Sequence, residues 1–311
     1  MGSLLGETID GRYHLEAALG EGAMGWVFAA RDPSGQQVAV KLVRDIDDDL
    51  RGPQRFLREV ATLNQLVHPN VVELFDFGRD EQRRLSYLVM ELISGDPVSK
   101  LTSSGRASPA LALMVARQAA EGLAGAHRRG IVHRDLKPAN LMLVPLPDGS
   151  VRVKVLDFGL AFMHADTKLT KTGTAPGTVS YMSPEQLQGM QVDGRADLHA
   201  LGVILFEMLA GRLPFHGGNQ VEIAFAVLNA TPRRLDQIVD GVPKELADLV
   251  SKLLQKDRDK RPATAEGLVD LIAEFQRRSS LPPVKVEHTG RSTDPVRDWS
   301  LAPAVPAAAV R

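Results

Sequence analysis

The chain has 311 residues, of which 44 % are hydrophobic and 24 % are charged, and its formal net charge is −1. This length allows one large domain or two small ones, and the near-zero charge gives no support to a nucleic-acid or membrane-surface partner. The absence of cysteine excludes disulfides, thiolate metal sites and cysteine nucleophiles. No apolar run reaches the length of a membrane span and no signal peptide opens the chain, so we expect a cytoplasmic protein.

The first predicted element is a β-hairpin that carries three glycines. Strand-like runs flank Gly20, Gly22 and Gly25, and a turn then leads into a run that ends near Lys41. The spacing G-x-G-x-x-G is commonest in dinucleotide-binding βαβ units, which need a helix after the glycines. A β-prone run follows here instead, and Trp26 stands where a Walker A loop requires lysine. The pattern therefore predicts a hairpin whose N–H groups can approach phosphates closely.

The next elements are a helix and two strands. Apolar residues at helical spacing predict a helix that contains Glu59 and ends at His68, because the residue before a proline disfavours helical dihedrals. Residues 71–77 and 86–92 are β-prone and predict two further strands. A long alanine- and leucine-rich helix follows, for which Ser108 is a suitable N-cap and Gly130 a suitable stop.

A polar loop comes directly after that helix and holds the chemically most informative residues. The acid Asp135 is followed two residues later by Lys137 and five residues later by Asn140. A second acid, Asp157, comes after the β-prone run 151–156. An acid to orient a hydroxyl, an amide and an acid for a metal ion, and a lysine near the moving phosphate form a phosphoryl-transfer set.

The rest of the chain is predicted to be helical and then to lose its pattern. The segment 177–185 reads G-T-x-x-Y-x-S-P-E, and 197–209 is apolar on nearly every face, which predicts a buried helix. Amphipathic helices are predicted over 243–278. Five of the 19 prolines then fall within 279–311, which predicts a disordered tail that catalysis does not need, with a docking or autoinhibitory tail as the alternative.

Taken in order, these motifs resemble a protein kinase catalytic core: G-x-G-x-x-G before V-A-V-K, then H-R-D-x-x-x-x-N, then D-F-G. The lysine of the polar loop and a T-x-T pair make the chain most similar to bacterial members of the eukaryotic-like serine/threonine kinases. The resemblance implies an α+β, two-lobed protein kinase fold. Its parts are an N-terminal extension at 1–12, a small β-rich N-lobe at 13–93, a larger helical C-lobe at 94–278 and the tail.

The resemblance also implies an ATP-dependent protein serine/threonine kinase that acts in signal transduction. Asp135 would orient the acceptor hydroxyl, and Lys137 would offset charge on the γ-phosphoryl group. Lys41, paired with Glu59, would hold the α and β phosphates. The implied ligands of Mg²⁺, with Mn²⁺ as an alternative, are Asn140 and Asp157.

Further residues are implied to contact the nucleotide. Backbone groups at Glu91 and Ile93 would hydrogen-bond adenine, with Met90 at the back of the adenine pocket. Backbone recognition tolerates many side chains, so the sequence specifies these contacts poorly. The full implied set is Gly20, Gly22, Gly25, Val27, Ala39, Lys41, Glu91, Ile93 and Met142.

Regulation is predicted at Arg134, which precedes the catalytic acid and needs an anionic partner. Thr170 and Thr172 match the T-x-T pair that bacterial relatives phosphorylate in trans, and a phosphate there could accept bonds from Arg134. Thr178 is similar to the threonine that the family uses structurally against the catalytic acid and lysine. Asp197 is implied to brace the catalytic loop, and the arginine at 261 to pair with the glutamate at 185.

Two other functional classes fit parts of the pattern. A catalytically dead pseudokinase would act as a binding module, but it would need a substitution at Lys41, Asp135 or Asp157, and all three are present. A kinase of small molecules would lack the G-T-x-x-Y-x-S-P-E segment, which shapes a platform for peptides. We therefore expect protein substrates, no nucleic acid, no membrane span, and transient homodimers during autophosphorylation.

Overall fold

A computed structural model describes residues 4–22, 25–44, 60, 63–158 and 178–279. The chain divides into two compact units, the first ending at Ile93 and the second beginning at Ser94. The following predicted features lie outside the described residues: the helix segment with Glu59, Thr170, Thr172, and the tail beyond Ser279.

The first unit is built on one six-stranded antiparallel sheet in the order β1-β2-β3-β4-β6-β5. The predicted glycine hairpin is confirmed, because β2 and β3 are antiparallel and Gly22 lies opposite Gly25. The strand predicted over 71–77 begins three residues later, at Leu74. The strands are β1 (Thr8–Ile9), β2 (Tyr13–Gly22), β3 (Gly25–Arg31), β4 (Gln37–Arg44), β5 (Leu74–Asp80) and β6 (Leu85–Glu91).

One face of this sheet forms the core of the first unit. Val40 of β4, Phe28 of β3 and Val89 of β6 are buried together in a single cluster. Because side chains alternate along a strand, Ala39 and Lys41 point to the opposite face of β4. Both are nevertheless buried, at 5 % and 6 % exposure, so this second face is also covered.

Hydrogen bonds join the turn between β1 and β2 to strands β5 and β6, at the opposite side of the same sheet. The backbone N–H of Asp10 donates to Asp80 at 3.0 Å, and the guanidinium of Arg12 donates to Asp76 at 2.8 Å. The Tyr87 hydroxyl donates to Asp10 at 2.7 Å and accepts a hydrogen bond from Arg12. The sheet therefore closes on itself through residues that are 64 to 77 positions apart in the chain.

The predicted extension, 1–12, supplies β1 to this sheet, and Ile9 is fully buried in the core cluster. We expect Ile9→Ala to lower the free energy of unfolding by about 2–5 kcal/mol, because it removes buried methyl groups and leaves a cavity. Leu5→Ala is the matched control, since Leu5 is 44 % exposed, and should cost less than about 0.5 kcal/mol. Denaturant unfolding measures both, and equally small changes would show that β1 adds no stability.

The second unit combines a small sheet with helices. Its strands are β7 (Asp96–Pro97), β8 (Leu141–Pro145) and β9 (Val151–Val155), in the order β7-β8-β9. Its helices are α1 (Val98–Ser104), α2 (Pro109–His127), α3 (Pro184–Leu187), α4 (Arg195–Ala210), α5 (Gln220–Asn229), α6 (Lys244–Leu253) and α7 (Ala265–Arg278). Among the helices that are described, none is both long enough and apolar enough to cross a membrane.

Helix α2 begins and ends as its sequence predicts. The Ser108 hydroxyl accepts a hydrogen bond from the N–H of Leu111 at 3.2 Å, and Gly130 adopts φ of 73°, which favours glycine. Helix α2 packs against α4, α7 and β9. Nearly every residue of α4 is buried, which confirms the prediction made for 197–209. These two helices form the base on which the polar loop 131–140 rests.

Candidate active site

The β8–β9 hairpin brings the two predicted metal ligands to one place. Leu141, the first residue of β8, lies opposite Val155, the last residue of β9. Asn140 directly precedes β8 and Asp157 follows β9, so both lie at the same end of the hairpin. A hydrogen bond from the N–H of Leu156 to the carbonyl of Asn140, at 2.9 Å, fixes this end.

Hydrogen bonds inside the loop fix the orientation of Asp135. Lys137 Nζ donates to Asp135 Oδ2 at 2.8 Å, and both side chains are partly exposed to solvent. The Asn140 amide nitrogen donates to the carbonyl of Asp135 at 2.8 Å. The amide oxygen of Asn140 is then the atom suited to a cation, while the Asp135 carboxylate retains an accessible face.

The loop is anchored from below by Asp197 of α4, which confirms the predicted bracing role. Asp197 accepts hydrogen bonds from the N–H groups of His133 and Arg134, both at 2.9 Å, and a 2.7 Å bond joins it to His127 Nε2. Burial alone would raise the pKa of Asp197. The hydrogen bond and charge of His127, together with the N–H of His133, outweigh burial and hold this pKa below its usual value.

Two non-glycine residues of this site adopt left-handed backbone conformations. Arg134 has φ of 65° and Asp157 has φ of 58°. Such conformations cost of order 1–3 kcal/mol each and persist only where the surroundings fix them, as they often do at functional sites. The hydrogen bond that the Arg134 N–H donates to Asp197 supplies part of that restraint.

The glycines of the β2–β3 hairpin differ in whether neighbouring atoms require glycine at their positions. A Cβ atom at Gly25 would lie 1.8 Å from the carbonyl oxygen of Leu42, so this glycine is needed for β3 to pair with β4. A Cβ at Gly20 would meet nothing within 4 Å, so no steric contact requires glycine at this position. Val27 pairs with Lys41 across β3 and β4, on the face opposite the core cluster. A phosphate-binding surface on that face fits these residues.

The structure limits which backbone groups at the end of β6 could make the predicted adenine contacts. The N–H of Glu91 donates to the carbonyl of Glu73 at 3.0 Å, so it does not supply a donor to a ligand. Met90 pairs with Ala39 on the face opposite the core cluster. Ile93 ends the first unit, whereas Met142 lies on β8 in the second unit.

The segment after Thr178 is held by a buried ion pair. Arg261 donates two hydrogen bonds to Glu185, at 2.7 and 2.9 Å, which confirms the predicted pairing. Thr178 begins a 3-10 turn. Thr178, Asp135 and Lys137 are all described, and no hydrogen bond joins the Thr178 hydroxyl to either of the other two side chains. That contact of Thr178 stays a prediction.

Sequence reasoning missed two residues that hold the loop. His127 reaches Asp197 across 70 positions, and no local pattern announces that contact. Gln186 Nε2 donates to the carbonyl of Arg134 at 2.7 Å. A signal for Gln186 was present, because the sequence S-x-x-Q from Ser183 is a capping-box pattern that places a glutamine at the start of a helix.

Residues 13–270 match the family described as protein kinase domain. The chain belongs to the protein kinase family. It is 36 % identical over 268 residues to the serine/threonine-protein kinase PrkC of Bacillus subtilis, a match covering 85 % of this chain and 40 % of PrkC. It is 37 % identical over 271 residues to the serine/threonine-protein kinase PknB of Mycobacterium leprae, covering 85 % of this chain and 43 % of PknB. The chain therefore spans about two fifths of the length of these relatives.

Among solved structures, a variant of the PknI kinase domain of Mycobacterium tuberculosis superposes with a TM-score of 0.68 at 24 % identity. The match covers 88 % of this chain and 98 % of that one. This likeness confirms the predicted α+β kinase fold.

The kinase family uses ATP and a divalent metal ion, and the donor atoms of this site fit such an ion. Hard divalent cations prefer oxygen ligands, which the Asn140 amide and the Asp157 carboxylate provide. Within the described part of the chain, no cluster of three or more histidine, aspartate or glutamate side chains could hold a metal by itself. A site with two protein ligands suits a cation that is also held by substrate phosphates.

Proposed function

We propose that this chain is a protein serine/threonine kinase that transfers the γ-phosphoryl group of ATP to protein hydroxyls. The observation that carries the proposal is the Asp135–Lys137 pair, at 2.8 Å, on a loop fixed by Asn140 and Asp197. A fixed carboxylate beside a fixed ammonium provides one group for the acceptor hydroxyl and one for the phosphoryl charge. Bacterial serine/threonine kinases among the relatives support the same activity.

In the proposed reaction, Asp135 accepts a hydrogen bond from the substrate hydroxyl and takes its proton as the phosphoryl group moves. Lys137 offsets the negative charge that spreads over the transferred group. Lys41 holds the α and β phosphates, with Glu59 as its partner. A buried ammonium such as Lys41 requires an anionic neighbour, which supports that pairing. Most of the rate enhancement then comes from positioning and charge stabilisation.

Asn140 and Asp157 would hold the metal ion, which we propose to be Mg²⁺, with Mn²⁺ able to replace it. The ion neutralises phosphate charge when it is bound. Gly20 belongs to the glycine hairpin, whose N–H groups can approach the phosphates closely. The proposed adenine contacts are backbone groups at Glu91 and Ile93. The other proposed nucleotide-binding residues are Val27, Ala39 and Met142, with Gly22 and Gly25 completing the hairpin.

Intact-mass analysis tests this function. The protein is first treated with phosphatase, freed of it, and then incubated with ATP and Mg²⁺. We expect mass increases of one phosphate each, located on serine or threonine by fragmentation. A protein that binds ATP but never gains or transfers phosphate would be a pseudokinase. Transfer to a panel of small metabolites, with none to a peptide library, would indicate a small-molecule kinase.

We expect the double substitution Thr170→Ala/Thr172→Ala to lower peptide phosphorylation at least tenfold. A phosphate on this pair adds about −1.5 to −2 charge and can accept paired bonds from Arg134. The backbone of Arg134 is held on both sides, by Asp197 and by Gln186, so its side chain starts from a fixed point. Initial rates with a serine/threonine peptide library measure the effect.

The control for this prediction is Thr231→Ala, an exposed threonine in another part of the second unit, which should keep the wild-type rate. Arg134→Ala should give an activity that phosphatase treatment no longer changes. Full activity of dephosphorylated wild-type protein from the first turnover would contradict this mechanism of activation.

Other parts of the proposal concern location and partners. We propose that the chain acts in the cytoplasm on protein substrates and pairs transiently with a second copy when it phosphorylates itself in trans. The T-x-T pair at 170–172 supports the transient pairing, since an activation segment is more easily reached by another molecule's active site. Nucleic acid is not a proposed partner, in keeping with the net charge of −1.

A further inference from the structure

Gln186 of α3 uses both ends of its amide group. Its oxygen accepts a hydrogen bond from the N–H of Ser183 at 3.0 Å, and its own N–H lies 3.4 Å from the Ser183 hydroxyl. These two contacts form a capping box at the start of α3. The amide nitrogen points the other way and donates to the carbonyl oxygen of Arg134 at 2.7 Å. One side chain therefore joins this helix to the catalytic loop.

The carbonyl that accepts this bond belongs to the peptide that links Arg134 to Asp135. Arg134 is in the left-handed region, with φ of 65°, and its N–H is held by Asp197 at 2.9 Å. Asp197 therefore holds Arg134 only at its N–H and does not restrain its carbonyl group. Rotation of this peptide plane would turn the Asp135 backbone and carry the carboxylate with it. The bond from Gln186 opposes that rotation at the carbonyl, and the 3.3 Å bond from the Asp135 N–H to His133 Nδ1 opposes it at the other end of the same peptide.

The helix that carries Gln186 is itself firmly held. Glu185, the preceding residue, forms the buried two-bond ion pair with Arg261. Both side chains are at most 5 % exposed. Gln186 therefore presents its N–H to the loop from a rigid base.

We propose that Gln186 is a positioning residue for the catalytic acid, fixing the peptide between Arg134 and Asp135 and thereby the direction of the Asp135 carboxylate. The inference rests on the proposed kinase function, because Asp135 must orient a hydroxyl for its direction to affect the rate. Gln186 acts through the main chain and does not itself contact the reacting groups.

Gln186→Glu separates this role from helix capping. A capping box requires only an acceptor at this position, and glutamate serves as well as glutamine. The carboxylate cannot donate to the carbonyl of Arg134, however, and places an oxygen against it. The substitution therefore keeps the cap and removes the contact with the catalytic loop. Gln188→Glu is the matched control, because Gln188 follows on the same segment and is exposed.

The experiment measures kcat, the KM values for ATP and a peptide, and the thermal unfolding midpoint for wild type and both variants. For Gln186→Glu we expect kcat to fall between about tenfold and a hundredfold, because small misplacements of a reacting group have effects of that size. Both KM values should stay within about twofold of wild type and the midpoint within about 2 °C, given the retained cap. Gln188→Glu should match wild type throughout.

Other outcomes overturn the proposal. A kcat for Gln186→Glu within about twofold of wild type would show that the contact does not position Asp135. A fall in kcat accompanied by a lower unfolding midpoint would make the role one of stability. If wild-type protein transfers no phosphate, the proposed function fails and this inference fails with it, whereas the first two results leave the proposed function standing.

Discussion

Asp135→Asn is expected to abolish phosphoryl transfer while the protein stays folded. The amide is nearly the same size as the carboxylate but cannot take the proton of the acceptor hydroxyl. The ion pair that it loses, with Lys137, is partly exposed, so its contribution to stability is about 1 kcal/mol or less. We expect peptide phosphorylation to fall by at least about a thousandfold. Radiolabelled phosphate transfer measures the rate, and thermal unfolding checks the fold.

Lys41→Met and Asp157→Asn should each give a similar loss, because both residues contribute charge to the same reaction. Their effects should be strongly non-additive, since residues that act as a unit cannot be lost twice. Asp240→Asn, which changes an exposed aspartate elsewhere, is the control and should behave as wild type. A double variant much slower than either single one, or wild-type activity in any single variant, would contradict the assignment.

Arg261→Met is expected to destabilise the folded protein strongly. It leaves the Glu185 carboxylate buried without its partner, and it removes the donor from three main-chain carbonyls, those of Gln255, Arg195 and Lys256. Breaking a buried pair from one side costs about 3–5 kcal/mol. We expect the thermal unfolding midpoint to fall by roughly 10 °C. Calorimetry measures it, with Arg128→Met, which breaks an exposed pair, as control.

The pH dependence of stability gives a second check on this pair. Burial alone would raise the pKa of Glu185, but the hydrogen bonds from Arg261 outweigh it and hold this pKa below its usual value of 4.5. A lowered folded pKa means that the stabilisation is present above pH 4.5 and is lost as pH falls through the folded pKa. Glu185→Gln should therefore be less stable than wild type at pH 7, and its free energy of unfolding should fall less steeply as the pH is lowered. An equally steep fall of the free energy of unfolding in both proteins would show that the Glu185–Arg261 pair does not cause the pH dependence.

Much of the local structure could be predicted, because its causes lie within a few residues. Ser108 before Pro109 determines where α2 starts, and the glycine pattern before a β-prone run predicts the β2–β3 hairpin. The Glu185–Arg261 pair was predicted for a different reason, the resemblance to a family. Elementary spacing arguments alone could not have joined residues 76 positions apart.

The contacts that position the catalytic loop were harder to predict for the same reason. His127 contacts Asp197, which holds the loop, across 70 positions, and Gln186 contacts the loop itself across 52 positions. Neither residue type is specific to such a role. The left-handed backbone of Arg134 was equally hard to predict, since arginine has no preference for this conformation and tertiary contacts such as the bond to Asp197 help to hold it. Tertiary contacts therefore decide the geometry around residues whose identity the motif already specifies.

The closure of the first sheet bears on how this chain can be shortened. An open sheet edge can recruit a strand from another molecule, because it presents N–H and C=O groups that lack partners. A chain that began at residue 13, where the family match starts, would lose Asp10 and Arg12 together with β1. The edges at β2 and β5 would then become accessible at the same time. We expect such a chain to aggregate by strand addition as protein concentration rises, whereas one that keeps β1 should not aggregate under the same conditions.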